Sequence, residues 1–217
     1  MSISFIEYTD QIIGEFSDGT NRILVIGPGY TCTDSSLNHN IVWESVDDKY
    51  IDPKPMIDIP RDTMIIQNNL NMDIIEWFEA YKHSYERKFN LFDVVIMCRV
   101  FEHIEMRRVD YFLYSLYSML SVNSTVICTV PDMVNSALQL EEEYRKDKPD
   151  AFKIQRLTFE LFNEGPSVRD RHALWSSKSS IKYLFERENL FKFNSVNKIE
   201  LDTNLVPNQL EFRFFRN

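Results

Sequence analysis

The chain has only five glycines in 217 residues, yet Gly27 and Gly29 flank Pro28 directly after the aliphatic run Ile23-Leu24-Val25-Ile26. An apolar run closed by Gly-Pro-Gly predicts a buried strand ending in a tight turn. Lacking side chains, Gly27 and Gly29 would let a ligand approach the backbone closely, and glycine tolerates the positive φ that such a turn can require. A helix starting near Thr33 would aim free N–H groups at the same place. A plain strand-to-helix turn with no ligand is the competing reading of so short a motif. Asp47 follows Gly27 by about 20 residues, at the end of a second predicted strand, where an acid can accept both hydroxyls of a ribose. The third glycine position of a dinucleotide fingerprint is occupied by Cys32, so an adenosine-containing ligand without a pyrophosphate fits better than a dinucleotide.

Composition limits the setting of this chemistry. The chain is 44% hydrophobic and 26% charged, as expected of a globular protein with one sizeable core. A net charge of −9 argues against broad electrostatic attachment to nucleic acid or anionic lipid. No apolar stretch approaches the ~20 residues needed to span a bilayer. The amino terminus lacks the pattern of a signal peptide, so a cytoplasmic location is expected. Cys32, Cys98 and Cys128 lie far apart and form no CxxC pair, which predicts neither a disulfide framework nor a zinc site.

The elements needed to position the candidate residues alternate in type. Apolar spacing predicts a helix over Ser4–Phe16 and strands at Ile23–Ile26, Ile41–Val46 and Met64–Gln67. It then predicts a helix over Met72–Lys88, a strand at Asp93–Cys98 and a helix over Arg108–Leu120. The buried side of that last helix is expected to include Tyr111 with Phe112, Leu113 and Leu116. A fifth strand, Thr125–Val130, stops at Pro131-Asp132. Residues 133–171 are more polar and mostly helical, Ser179–Glu188 reads as a helix, and the tail 194–217 alternates as a closing antiparallel pair would. Strands alternating with helices imply a largely parallel sheet, with ligands at the carboxyl ends of its strands.

In the order and spacing of these pieces the chain resembles class I S-adenosylmethionine-dependent methyltransferases over nearly its full length. The matching stretches are "ILVIGPGYT", "IVWESVD", "FDVVIMCRVFEHI" and "YSMLSVNSTVICTVPD". The segment "LFNEGPSVRDRHALWSSKSSIKYLFERENLFKF" is also similar to the family's carboxyl-terminal part. Val25 and Thr31 depart from the family's glycine motif, and Asn123-Ser124 replaces its usual Gly-Gly turn. The resemblance implies an α/β fold, a three-layer Rossmann-like sandwich around a mostly parallel seven-stranded sheet with an antiparallel C-terminal strand. It implies a single domain over 1–217, with a helical substrate-side insertion at about 133–171.

By the same resemblance Gly27, Pro28 and Gly29 would line the methionine part of S-adenosylmethionine, and Asp47 would hold its ribose. Asn68 or Asn69 would contact the adenine edge, and Cys98 would lie along the cofactor, where it can equally serve as a small buried hydrophobe. Some relatives bind a divalent metal through Glu-x-x-Glu-His and a distant His. Here Glu102, His103 and His172 remain, but Arg99 takes the first acidic position, and a guanidinium cannot ligate a cation. No metal is therefore expected; Glu102 and His103 brace the junction, with His103 at the cofactor's side.

His172 is the candidate for direct chemistry, its neutral imidazole accepting a proton from a substrate hydroxyl or amine. A structurally bonded histidine is the alternative there, and for Trp175 a buried aromatic is favoured over a pocket wall. The expected activity is in-line methyl transfer to a small-molecule or saccharide-type acceptor. The main alternative is an inactive methyltransferase-like binding or assembly protein, and a nicotinamide-linked oxidoreductase is a more distant one. Duplex DNA is not expected as substrate, because no motif for gripping a flipped base is present.

Overall fold

The computed structural model describes residues 8, 11, 12, 14–16, 21–26, 42–46, 92–162, 172–200 and 208–217. Of these, residues 42–46 and Arg22, Val25, Cys98, Glu200 and Asn208 are described in backbone only. The strands are β1 (Arg22–Ile26), β2 (Val42–Val46), β3 (Phe92–Cys98), β4 (Leu120–Pro131), β5 (Phe191–Glu200) and β6 (Asn208–Arg216). They form one six-stranded sheet in the order β2-β1-β3-β4-β6-β5. The first four run parallel, and β6 inserts antiparallel between β4 and β5. The expected antiparallel strand near the carboxyl terminus is thus present. The strand predicted at Met64–Gln67, which would bring the total to seven, lies outside the described residues.

The central strands form because they are apolar on both faces. Ile23, Leu24 and Ile26 of β1 and Val94 to Met97 of β3 are all buried, as parallel strands covered on both sides require. Helix α1 (Val109–Met119) buries Val109, Phe112, Leu113, Leu116 and Met119, a stripe of helical period. Tyr111 falls outside that stripe and is exposed, contrary to expectation. The helix also ends one residue earlier than predicted and runs straight into β4, which is longer than the predicted Thr125–Val130. Buried Leu120 pairs with buried Phe92, and the Ser121 hydroxyl donates to Asp93 at 2.5 Å. Together they draw residues 120–124 into the strand.

The polar stretch after β4 holds two helices, α2 (Met133–Tyr144) and α3 (Ala151–Phe162). Asp132 caps α2 by accepting from the Asn135 N–H at 3.2 Å, and Asp150 accepts from the Phe152 and Lys153 N–H groups at the start of α3, each supplying an acceptor to otherwise unpaired amides. Glu143, nearly inaccessible, joins the two helices. It accepts from Lys146 at 2.6 Å and the Asp150 N–H at 3.0 Å, and pairs with Lys153 at 3.1 Å. Helix α4 (Lys178–Glu186) starts at a Ser177–Ser180 capping box. Among the described residues no helix is long and apolar enough to cross a membrane.

Aromatic side chains fill the core beneath the strand ends. Phe185 stacks on Phe214 at 4.1 Å, and Phe101 lies 5.0 Å from Phe185 and 5.9 Å from Phe112. Phe101 thereby anchors the turn that leaves β3. Phe101→Ala is expected to cost about 3–5 kcal/mol, measured by urea denaturation. Hydrogen bonds from Lys146 and the Asp150 N–H hold the Glu143 carboxyl down to about 2 from an ordinary 4.5. Its contribution is present above pH 4.5 and lost as pH falls towards 2. Glu143→Gln should therefore lower the Tm at pH 7, and calorimetric scans should show the gap to the wild type closing over that acid range.

Candidate active site

Parallel sheets open a crevice where the strand order reverses. Here β1 is flanked by β2 on one side and β3 on the other, so the reversal lies between β1 and β3. Ile26, the last residue of β1, is in register with Val46 and with Met97. The ends of β1 and β2 are therefore level, and β3 runs one residue past them to Cys98. Chain positions 27 and 47 follow β1 and β2 in sequence.

The described site begins as the chain leaves β3. Arg99 has φ 56, the left-handed region disfavoured for side chains larger than glycine. Its N–H donates to the Thr129 carbonyl at 3.0 Å, which ties the exits of β3 and β4 together. A single 3-10 turn, Phe101–His103, then buries Phe101 in the aromatic core and Glu102 beside it. Glu102 is 0% exposed and neither carboxyl oxygen has a hydrogen-bond partner. Burial pushes its pKa up, opposed by the nearby His103 and Arg99.

The segment carrying His172 docks on this turn. The Glu102 carbonyl accepts from Ala173 N–H at 2.7 Å and from Leu174 N–H at 3.0 Å. The Ser176 hydroxyl donates to the Pro131 carbonyl at 2.6 Å, fastening the same segment to the end of β4. These bonds bring the His103 and His172 rings to 5.1 Å between centroids. His172 Nδ1 lies 3.3 Å from the Leu161 carbonyl at the end of α3. Because a carbonyl only accepts, Nδ1 carries the proton and Nε2 keeps its lone pair. That Nε2 is buried with no hydrogen-bond partner. Burial first, then the nearby His103 and Arg99, pull His172 down to about 4.

Glu102, His103 and His172 each present one ligand-type atom within 4.8 Å of the others. Such spacing suits a positive charge, and Arg99 supplies one, its Nε 3.9 Å from Glu102 Oε1. His103 Nε2 stands 4.0 Å from the same oxygen.

The structure therefore brings His103 and His172 together as neighbours. Gly27, Pro28, Gly29, Asp47, Asn68 and Asn69 lie outside the described residues. Cys98 closes β3, but its side chain is outside them too. Trp175 is half exposed rather than buried, since the segment holding it turns Leu174 and Ser176 inward instead. One site residue escaped the sequence reading. Glu160 on α3 is 0% exposed, and both its carboxyl oxygens lack hydrogen-bond partners. Its signal was present: an acid on the buried stripe that also holds Leu157 and Leu161, where a leucine would be ordinary.

Nitrogen NMR of the imidazoles should find His172 neutral, with the proton on Nδ1, down to a pH of about 4. Arg99→Met should move that midpoint upward, because a repelling charge is removed.

No family model matches the chain, and no curated protein matches it. Solved structures do. A methyltransferase from Methanosarcina mazei superposes with TM-score 0.60 at 14% identity, covering 94% of this chain and 96% of that one. A methyltransferase from Archaeoglobus fulgidus gives TM-score 0.54 at 14% identity, covering 97% and 94%. The 1,6-didemethyltoxoflavin-N1-methyltransferase of Burkholderia thailandensis, solved with bound 1,6-didemethyltoxoflavin and S-adenosylhomocysteine, gives TM-score 0.58 at 11% identity, covering 98% and 78%. With its mostly parallel sheet and one antiparallel strand near the end, the chain has the fold of class I S-adenosylmethionine-dependent methyltransferases.

Proposed function

We propose that the protein is an S-adenosylmethionine-dependent methyltransferase acting on a small-molecule or saccharide-type acceptor. The observation that carries this reading is the cluster of Arg99, Glu102, His103 and His172 at the carboxyl end of β3, beside the point where strand order reverses. A sheet of this kind binds ligands at that place. The similar methyltransferase from B. thailandensis, solved with S-adenosylhomocysteine, supports the choice of cofactor.

The strand ends fit an adenosyl ligand, because Gly27 and Asp47 directly follow β1 and β2 in sequence and Cys98 closes β3. Gly27, Pro28 and Gly29 would hold the methionine part, Asp47 the ribose, and Asn68 or Asn69 the adenine. Cys98 and His103 would flank the cofactor. When bound, S-adenosylmethionine supplies a methyl group made electrophilic by the sulfonium. The protein's own work is alignment in a dry site. His172 would contact the acceptor: its buried Nε2 lone pair accepts a hydrogen bond from an acceptor hydroxyl or amine and fixes the direction of attack. The Glu102 carbonyl holds His172 to this task by anchoring the next two residues.

Calorimetric titration should show S-adenosylmethionine and S-adenosylhomocysteine binding at one site, with NAD not binding. Asp47→Ala should weaken both by at least tenfold, about 1.4 kcal/mol. Failure of both adenosyl ligands to bind would overturn the reading, and unchanged affinity in Asp47→Ala would remove the ribose assignment.

A further inference from the structure

Glu160 has no part in the chemistry derived above, and its surroundings do not account for it as a structural group. It sits on the buried stripe of α3, shielded from solvent, with two unpartnered carboxyl oxygens. Charged and polar groups from three parts of the chain act on it. Arg99 does so from the exit of β3, Ser136 and Asp132 from the start of α2, and Arg156 from the preceding turn of α3. The Ser136 hydroxyl, however, donates to the Asp132 carbonyl at 3.2 Å. His172 rests on the same turn through the Leu161 carbonyl. A buried acid kept for stability would be expected to hold a salt bridge or a full set of hydrogen bonds. Glu160 has neither, and its helix carries the Leu161 carbonyl on which the histidine that would contact the acceptor rests.

We propose, building on the methyltransferase reading, that Glu160 receives the proton of the acceptor nucleophile, and that the positive sulfonium of the bound donor converts it from carboxylic acid to carboxylate beforehand. Donor binding then releases the Glu160 proton to solvent. In the transfer, a lone pair of the acceptor nitrogen forms the bond to the methyl carbon. The carbon–sulfur bond breaks, with its electron pair staying on sulfur. The acceptor's proton moves to the Glu160 carboxylate. Sulfonium and carboxylate are thus neutralised together, and the substrate class is an amine that arrives with two N–H protons, one donated to His172 Nε2 and the other passed to Glu160.

Two observations support this division of roles. Burial pushes the Glu160 carboxyl up to about 7, which matches a general base working near neutral pH. His172, pulled down to about 4, orients the acceptor but has little affinity for its proton. A positive charge arriving at the strand ends acts on Glu160 in the same direction as Arg99 already does.

The donor and its product differ in charge at sulfur, which makes the proposal testable without knowing the acceptor. Titration calorimetry at pH 7 in buffers of different ionisation enthalpy counts the protons released on binding. With the wild type, S-adenosylmethionine should release about half a proton more than S-adenosylhomocysteine does. In Glu160→Gln that excess should fall, because only the ligands' own amino groups, common to both proteins, still contribute. An excess that is absent, or that persists unchanged in Glu160→Gln, overturns the proposal while leaving the methyltransferase reading intact. If neither ligand binds the wild type, both fall together. Infrared difference spectra of the wild type provide a check that needs no variant. Loss of a carboxylic-acid C=O band with S-adenosylmethionine but not with S-adenosylhomocysteine is expected, and retention of that band with both overturns the proposal.

Discussion

The site depends on one carbonyl. The Glu102 C=O accepts two backbone N–H groups, from Ala173 and Leu174, and so joins the exit of β3 to a segment some seventy residues later in the chain. Between the two lie α1, β4, α2 and α3. A carbonyl has two acceptor lone pairs, and both are used here, which defines where the segment sits as well as that it docks. His172 takes its place from this junction. Phe101, one residue before Glu102, secures the turn from below by packing among Phe112 and Phe185.

That anchorage supports an arrangement that is costly in itself. Glu102, Glu160 and His172 Nε2 are buried without hydrogen-bond partners, and each such group costs about 1–3 kcal/mol. The aromatic core and the continuous apolar strands offset this cost. Unfavourable polar groups gathered in one region are characteristic of sites shaped for a ligand rather than for stability. Glu143 is a contrast, since its carboxylate has three partners.

Arg99 sets the electrostatics of the region. Its backbone is held in the left-handed conformation by the bond to Thr129, and its charge acts on Glu102, Glu160 and His172 alike. It lowers the proton affinity of the two acids and of the imidazole in the same sense, while burial pushes acids and imidazole in opposite senses. The outcome is a neutral histidine and an acid that titrates near neutrality. A carboxylate in the place of Arg99 would reverse every one of these influences.

Much of the fold was legible in the chain. The aliphatic runs of β1 and β3, the stripe of α1 and the alternation of β6 all reflect periodicity, which is local. The start of β4 was less legible, because Leu120 joins it through a pairing with Phe92 that no local pattern shows. Tyr111 and Trp175 were misplaced because aromatic character does not reveal which side of an element faces the core. The Gly27-Pro28-Gly29 motif lies outside the described residues. Of the candidate site, the residue types at Glu102, His103 and His172 could be read from the sequence. Their meeting could not. The sequence by itself determined the strands, the helices and the chemical groups available. Only the tertiary structure decided that His172 would rest between Glu102 and α3, and that Glu160 would be buried unpaired on that helix. The reason is physical: proton affinity and hydrogen-bond supply are set by neighbours in space, and here those neighbours come from distant parts of the chain.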